Sequence, residues 1–241
     1  MAKSLKGASV AGRRKGRSNL VLDRGGDDKK NKPAISLIVP TRGRPENLNR
    51  LVKSITATTA NLEQVELVLV IDQDDNAYAD SKFDGLRVTI ARSRPKSAMG
   101  ALNMTGYQAC SGEYIMLLND DVVLRTPEWD TTILSVFKAH PDGVVLVHVN
   151  DRLFESGLCT FPFVTRMFCE LSGGVCKPDY RRYRIDDHIY EVFNLLSVLG
   201  HDRIVYLPDV VFEHLNFVRD DQGKISYEPD PIIHESDTRL F

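Results

Sequence analysis

One short run constrains this chain more than any other. Ile115 to Leu118, with Tyr114 ahead of them, leads straight into Asn119-Asp120-Asp121. A run that short and that apolar suits a strand buried on both faces of a parallel sheet. Two adjacent carboxylates cannot follow it into the interior unpaired, because an isolated buried charge is very costly. The strand therefore ends there, at the C-terminal edge of the sheet, where open α/β sheets bind their ligands. Carboxylates at such an edge suit a divalent cation, which takes hard oxygen ligands. They equally suit a strand-to-loop turn in which Asn and Asp satisfy the backbone, and this stretch alone leaves both readings open.

The same logic recurs earlier. Val65–Ile71 (VELVLVI) reads as an apolar strand, and Asp72-Gln73-Asp74-Asp75 follows it. Ala34–Pro40 (AISLIVP) reads as the first strand. Arg42–Arg44 makes a turn, and Pro45 sits where a helix can begin, with Leu48, Leu51, Val52 and Ile55 along one face. Leu86–Ile90 predicts a third strand. Ser97–Ala109 predicts a helix with Ala98, Ala101, Leu102, Thr105 and Ala109 on one side, small enough for close packing on a sheet. Thr126 reads as an N-cap with Pro127 at the first helical position, and Trp129, Ile133, Val136 and Phe137 face inward. Gly143–Val149 is a further strand. This alternation implies an α/β domain with a mostly parallel central sheet flanked by helices.

Residues 151–184 lose the rhythm and carry Ser172-Gly173-Gly174 and a basic cluster at Arg181, Arg182 and Arg184. Asp186-Asp187 then opens a helix with Ile189, Val192, Phe193 and Leu196 inward, stopped by Gly200. Two short strands follow, Arg203–Leu207 and Val210–Phe212, and His214 stands just after the second.

Charge divides the 241 residues unevenly. The net charge is −2, yet residues 1–34 hold ten Lys/Arg against three Asp, a net of +7, which leaves −9 on the rest. Residues 1–33 are nearly free of large apolar side chains and are expected to be a disordered basic tail. Such a tail allows peripheral contact with anionic lipid or nucleic acid, although a solvated tail is the simpler expectation. The acidic body lacks interleaved basic and aromatic stripes, so no nucleic-acid partner is expected for it. The four cysteines (Cys110, Cys159, Cys169, Cys176) show no CxxC spacing, and reduced thiols in a cytoplasmic protein are the expectation. No apolar stretch of about 18 residues is present, so no membrane span is expected.

Several motifs taken together resemble one family. PTRGRPENLNRLVKSI (40–55), VLVIDQDD (68–75), GALNMTGYQACSGEYIMLLNDDV (100–122), SGG (172–174), DDHIYEVFNLLSVLGH (186–201) and EH (213–214) look like glycosyltransferase family 2, the inverting, metal-dependent transferases of GT-A (Rossmann-like) fold. The resemblance covers roughly residues 34–216. It implies a single GT-A domain with a nucleotide-binding half over 34–125, an acceptor and catalytic half over 126–216, and residues 217–241 as an extension packed on the domain.

The resemblance also implies roles. Pro40, Thr41, Arg42, Arg44 and Asp72 match the positions that hold the nucleotide, and Asn103 matches an asparagine near it. The family's DxD motif falls on Asn119, Asp120 and Asp121. Asn119 departs from the pattern and brings no charge, so Asp121 becomes the expected metal ligand, with the Asn119 carbonyl toward the ribose and Asp120 toward the ribose or a metal-bound water. His214 resembles the later histidine that joins the metal, Mn²⁺ or Mg²⁺. Asp187 matches the catalytic base, with Asp186 beside it, although a helix start also uses Asp as a cap. Gly173 and Gly174 match a segment lining the donor sugar or acceptor. Asp74 and Asp75 stand where many relatives carry Gly-Ser.

The function so implied is transfer of a sugar from a nucleotide-diphosphate donor to a glycan or other hydroxyl acceptor. A degenerate module that only binds a nucleotide-sugar or glycan is the alternative, favoured by Asn119. A sugar nucleotidylyltransferase fits less well, because PTRGRPE has a single Gly and forms no Gly-rich phosphate loop.

Overall fold

The computed structural model describes residues 32–79, 81–83, 85–215 and 229–241. The basic tail expected over 1–33 lies outside them apart from Lys32 and Pro33, as do residues 217–228 of the C-terminal extension. The four parallel strands stand where the apolar runs place them: β1 (Ile35–Thr41), β2 (Val65–Asp72), β3 (Arg87–Ser93) and β4 (Tyr114–Leu117). They continue into β5 (Val122–Leu124), β6 (Leu146–Asn150), β7 (Phe163–Thr165) and β8 (Ile204–His214) in the spatial order β3-β2-β1-β4-β7-β6-β8-β5. β7 runs antiparallel between β4 and β6, and β5 pairs antiparallel with β8.

Alternate residues of the strands serve two layers. Ile35, Leu37 and Val39 of β1 join α1 (Pro45–Thr58) and α3 (Trp129–Ala139) in one core. Ile38, Val68 and Val70 join Ala109 and Cys110 at the end of α2 (Met99–Ala109), Cys169 of α4 (Arg166–Leu171), and Ile189 and Phe193 of α5 (Ile185–Val198) in the other. A strand that must be apolar on both faces reads as an unbroken apolar run.

Several expectations need correction. Thr126 does not cap α3. Glu128 does, with a left-handed backbone at φ 56°, while the Thr126 hydroxyl donates to Asp209 O at 2.9 Å and accepts from Val211 N at 2.9 Å. The side chain that reads as a cap instead ties the end of β5 to β8. Of the stripe expected on α2 only Ala109 is buried, and Gly100, Asn103 and Gly106 make up the rest of its buried side. The helix lies so close that a β-carbon at Gly106 would stand 2.4 Å from Ile38 Cγ2, so only a missing side chain fits. Val192 faces out at 37% exposure. The two short strands expected over 203–212 are one strand, β8, with an irregular register beside Asn150. β5 and β7, at three residues each, are too short to carry a pattern.

All four cysteines are free thiols. Among the described residues no helix is long and apolar enough to cross a membrane.

Candidate active site

The C-terminal ends of β1, β2 and β4 open side by side because these strands are parallel and in register. Whatever follows each strand therefore meets in one place. That place is a cleft of about 540 Å³. Pro40, Thr41, Arg42, Arg44, Asp72, Asn103, Asn119, Asp120, Asp121, Asp186, Asp187 and His214 all line it. Gly173 and Gly174 do not. They turn the chain after α4 at φ 79° and 146°, and Gly174 packs where a β-carbon would strike Met104.

Asp120 is a buried anion with full support. Thr41 Oγ1 donates to its Oδ2 at 2.6 Å, and Arg44 Nη1 donates to its Oδ1 at 2.9 Å. Since the Thr41 proton is spent there, the Tyr78 hydroxyl donates to Thr41 Oγ1 at 2.7 Å and accepts from Arg44 N at 2.9 Å. Burial pushes the Asp120 carboxyl above its ordinary value, against Arg44 and Thr41.

Asp121 is different. Burial works against its charge, but a protonated His214 ring and Arg44 outweigh burial and hold its carboxyl below the ordinary range. Its Oδ1 is buried without a hydrogen-bond partner, 3.2 Å from His214 Nε2. The Asn119 amide lies 3.4 Å from that same nitrogen. If Asn119 donates there, the ring proton sits on Nδ1, itself buried and unpartnered. An imidazole lone pair and a carboxylate oxygen then face each other with nothing between, a mismatch that a proton or a cation relieves. An orphaned anionic oxygen and an imidazole nitrogen at that spacing suit two ligands of one divalent ion. Among the described residues no three His, Cys, Asp or Glu are grouped as a metal cage. A cation here would draw its remaining ligands from a bound molecule or solvent, the open form of a catalytic metal site.

β2 supplies a second polar group. Arg42 Nη1 donates to Asp72 Oδ2 and also reaches Asp74 Oδ1 at 2.8 Å, while its Nη2 reaches Asp74 Oδ2 at 3.1 Å. Asp75 accepts from Gly43 N at 2.8 Å and from Ala77 N at 2.9 Å. Asp74 and Asp75 thus hold the Arg42–Gly43 turn in shape.

The opposite wall comes from α5. Its N-cap is Arg184 in a left-handed backbone (φ 68°), so neither Asp186 nor Asp187 is the cap. Both lie in the first turn. Asp187 Oδ2 accepts from Arg184 Nη1 at 3.0 Å, and Asp186 Oδ1 accepts from Asp187 N at 3.0 Å. Burial and the neighbouring Asp187 push the Asp186 carboxyl up to about 6. Lys96, Arg182, Tyr183 and His234 also line the cleft. In the sequence, Lys96 reads as a loop cation able to approach phosphates, and the basic cluster at 181–184 hints at Arg182 and Tyr183. His234 arrives from residues beyond every motif in the sequence, so nothing local marks it.

The sequence and the fold also have known relatives. The model of glycosyl transferase family 2 matches residues 36–170. The protein y4gI of Sinorhizobium fredii is 27% identical over 138 residues, which cover 52% of this chain and 15% of that protein. The chain therefore spans about 15% of the length of this curated relative. Among solved structures, the mannosyltransferase PcManGT of Pyrobaculum calidifontis, in complex with GDP-Man and Mn²⁺, superposes with a TM-score of 0.59 at 18% identity, over 82% of this chain and 60% of that one. S. aureus TarS (residues 1–349) gives 0.56 at 14% identity over 74% and 59%. Glucosyl-3-phosphoglycerate synthase of Mycobacterium tuberculosis, with Mn²⁺, UDP and glucosyl-3-phosphoglycerate, gives 0.52 at 16% over 85% and 75%. These likenesses show a shared fold, and the family model covers more than half of the sequence: the chain belongs to glycosyl transferase family 2.

Proposed function

We propose that this chain is an inverting, metal-dependent glycosyltransferase that moves a sugar from a nucleoside-diphosphate donor to an acceptor hydroxyl. The observation that carries the reading is the buried, unpartnered Asp121 Oδ1 facing His214 Nε2 in the same cleft as Asp72 and the Asp186–Asp187 pair. Family membership and the folds solved with GDP-Man or UDP support it.

Each side of the cleft has its own part. Asp72 and the Thr41–Arg44 turn hold the nucleotide, with the Asp72 carboxylate able to accept from a base N–H. Asp121 and His214 would hold Mn²⁺ or Mg²⁺, which neutralises charge developing on the diphosphate leaving group. Arg44, 3.8 Å from Asp121 Oδ2, keeps the carboxylates of this edge in place. Asp187, oriented by Arg184, takes the proton of the acceptor hydroxyl. The hydroxyl oxygen then bonds to the anomeric carbon as the bond to the diphosphate breaks, the electron pair leaving with the diphosphate. Attack on the face opposite the leaving group inverts the configuration.

Thermal shift with UDP, GDP and dTDP, each with and without Mn²⁺, tests the reading and names the base together. One nucleotide should stabilise the chain in Mn²⁺, by about 2–3 kcal/mol at a hundredfold excess over its Kd. Asp121→Ala and His214→Ala should each abolish the metal-dependent part. No shift with any nucleotide, or full shifts in both variants, would falsify the proposal. Binding without turnover of any donor would instead leave a nucleotide-sugar-binding module.

A further inference from the structure

The C-terminal helix α6 (Pro231–Thr238) attaches to the domain in an unusual way. A surface helix normally docks by an apolar stripe. The only buried side chain of α6 is Asp237, at 0% exposure, while Ile232 is 78% exposed. The Asp237 carboxylate accepts three consecutive backbone N–H groups: Arg181 at 2.9 Å on Oδ1, then Arg182 and Tyr183 at 2.8 Å each on Oδ2. These donors outweigh burial and hold the carboxyl below its ordinary range.

The segment held in this way is the one that leads into α5. On its other side the first turn of α2 grips it, with Met99 N donating to Arg181 O at 3.0 Å and Gly100 N to Tyr180 O at 2.8 Å. The next residue, Arg184, has a left-handed backbone, which a side-chain-bearing residue adopts when its surroundings enforce it. Arg184 Nε donates to Thr238 Oγ1 at 3.2 Å, and its guanidinium lies 5.8 Å from the Phe241 ring centre. The same guanidinium holds Asp187. His234 stacks edge-on to Tyr183, ring centres 5.2 Å apart, and both line the cleft. The family model ends at residue 170, well short of these contacts.

We propose that α6 is part of the catalytic apparatus, with Asp237 a positioning residue that fixes residues 181–184 and, through Arg184, aims Asp187 at the acceptor. The inference rests on the glycosyltransferase reading above. Asp237 touches no reacting atom. It acts by setting where the wall of the cleft stands.

The test uses the full chain and Asp237→Asn, which keeps the size of the side chain but points an N–H donor at backbone N–H groups. A panel of UDP-, GDP- and dTDP-sugars with Mn²⁺, water serving as acceptor, reports turnover, and the free diphosphates report binding. We expect kcat for diphosphate release to fall at least about tenfold, with donor KM and diphosphate Kd held within about twofold. Asp237→Glu, which keeps both acceptor oxygens, should restore part of the rate. Unchanged kcat in the folded Asn variant, or kcat and diphosphate affinity collapsing together, overturns the proposal. Should the Asn variant fail to fold, Thr238→Val, which removes the Arg184 contact along with the hydroxyl's bond to His234 O inside α6, is read by the same split. Hydrogen exchange decides independently of turnover: faster exchange at 181–183 with β1–β4 unchanged supports the positioning role, and equal exchange refutes it. A wild-type chain that turns over none of the panel removes the enzymatic reading, while exchange still decides what Asp237 holds.

Discussion

Carboxylates in this molecule divide by which edge of the sheet they occupy. Glu66, at the N-terminal end of β2 and 2% exposed, accepts from Ser36 Oγ at 2.6 Å, Ser111 Oγ at 3.0 Å and Gly112 N at 3.1 Å. Its Oε1 is spent on the fold. Asp120 and Asp121, at the opposite edge, line the cleft, as do Asp186 and Asp187 in the first turn of α5. Of the α5 pair, Asp187 is aimed by an arginine, and Asp186 is the acid whose carboxyl is pushed up to about 6. The roles separate by experiment. Asp187→Asn should lower kcat by about 10²–10⁴, the range general-base catalysis supplies, with diphosphate affinity retained. Asp186→Asn should keep most of the rate and shift its pH dependence. Rates measured across pH 5–9 check both, and loss of turnover in Asp186→Asn alone would exchange the assignments. At this scale much of the cleft is legible in the sequence, because a charge at the end of an apolar strand has one place to go. Legibility stops where partners lie far apart along the chain. Nothing near Asp237 announces three backbone amides 54 to 56 residues away, and Tyr78 behind Thr41 gives no local sign either.

Elements are legible where a period or an unbroken run lasts about five residues or more, long enough for side-chain pattern to outweigh local accident. β1, β2, β4 and the helices α1 and α5 stand out on that basis. The side of α2 facing the sheet does not, because its inner residues are the smallest ones. Gly100, Asn103 and Gly106 recur every third residue, and a rule that seeks apolar bulk passes over them. The consequence is testable. A β-carbon at Gly106 would stand 2.4 Å from Ile38 Cγ2 and 2.9 Å from Val70 Cγ2, both stiff β-branched methyls in the sheet. Intrinsic propensity favours Gly106→Ala by about 1 kcal/mol in a helix, but overpacking costs about 1–3 kcal/mol. Packing should win. The variant should be destabilised by about 1–2 kcal/mol in urea unfolding, and it should bind nucleotide more weakly, since Asn103 on the same face lines the cleft. A variant of higher stability would mean that the helix can lift from the sheet at no cost.

At the scale of the molecule, the titrations of His148 and Asp186 oppose each other. His148 in β6 is 2% exposed, its ring 4.9 Å from that of Tyr206, and its Nδ1 has no partner. Burial pushes its imidazolium down to about 4, against the pull of Asp151. The unfolded chain binds that proton below an ordinary value of about 6.5, so stability from this site is lost as pH falls from about 6.5 toward 4. Asp186 runs the other way. Its folded value of about 6 lies above the ordinary carboxylate value, so the folded chain keeps a proton that the unfolded chain releases, and stability is lost as pH rises through that window. The cleft therefore holds a carboxyl group at a cost near neutrality, as active sites commonly do. Asp186→Asn should remove that cost and stabilise the chain by about 1–2 kcal/mol at pH 7.5, after discounting for partial exposure, with little gain at pH 4.5. His148→Phe should do the reverse, reducing the loss between pH 7 and 4.5 by about 2 kcal/mol. Urea midpoints of the wild type and both variants at pH 4.5 and 7.5 check the pair. Equal gains at the two pH values in either variant would show that packing, rather than a bound proton, sets the difference.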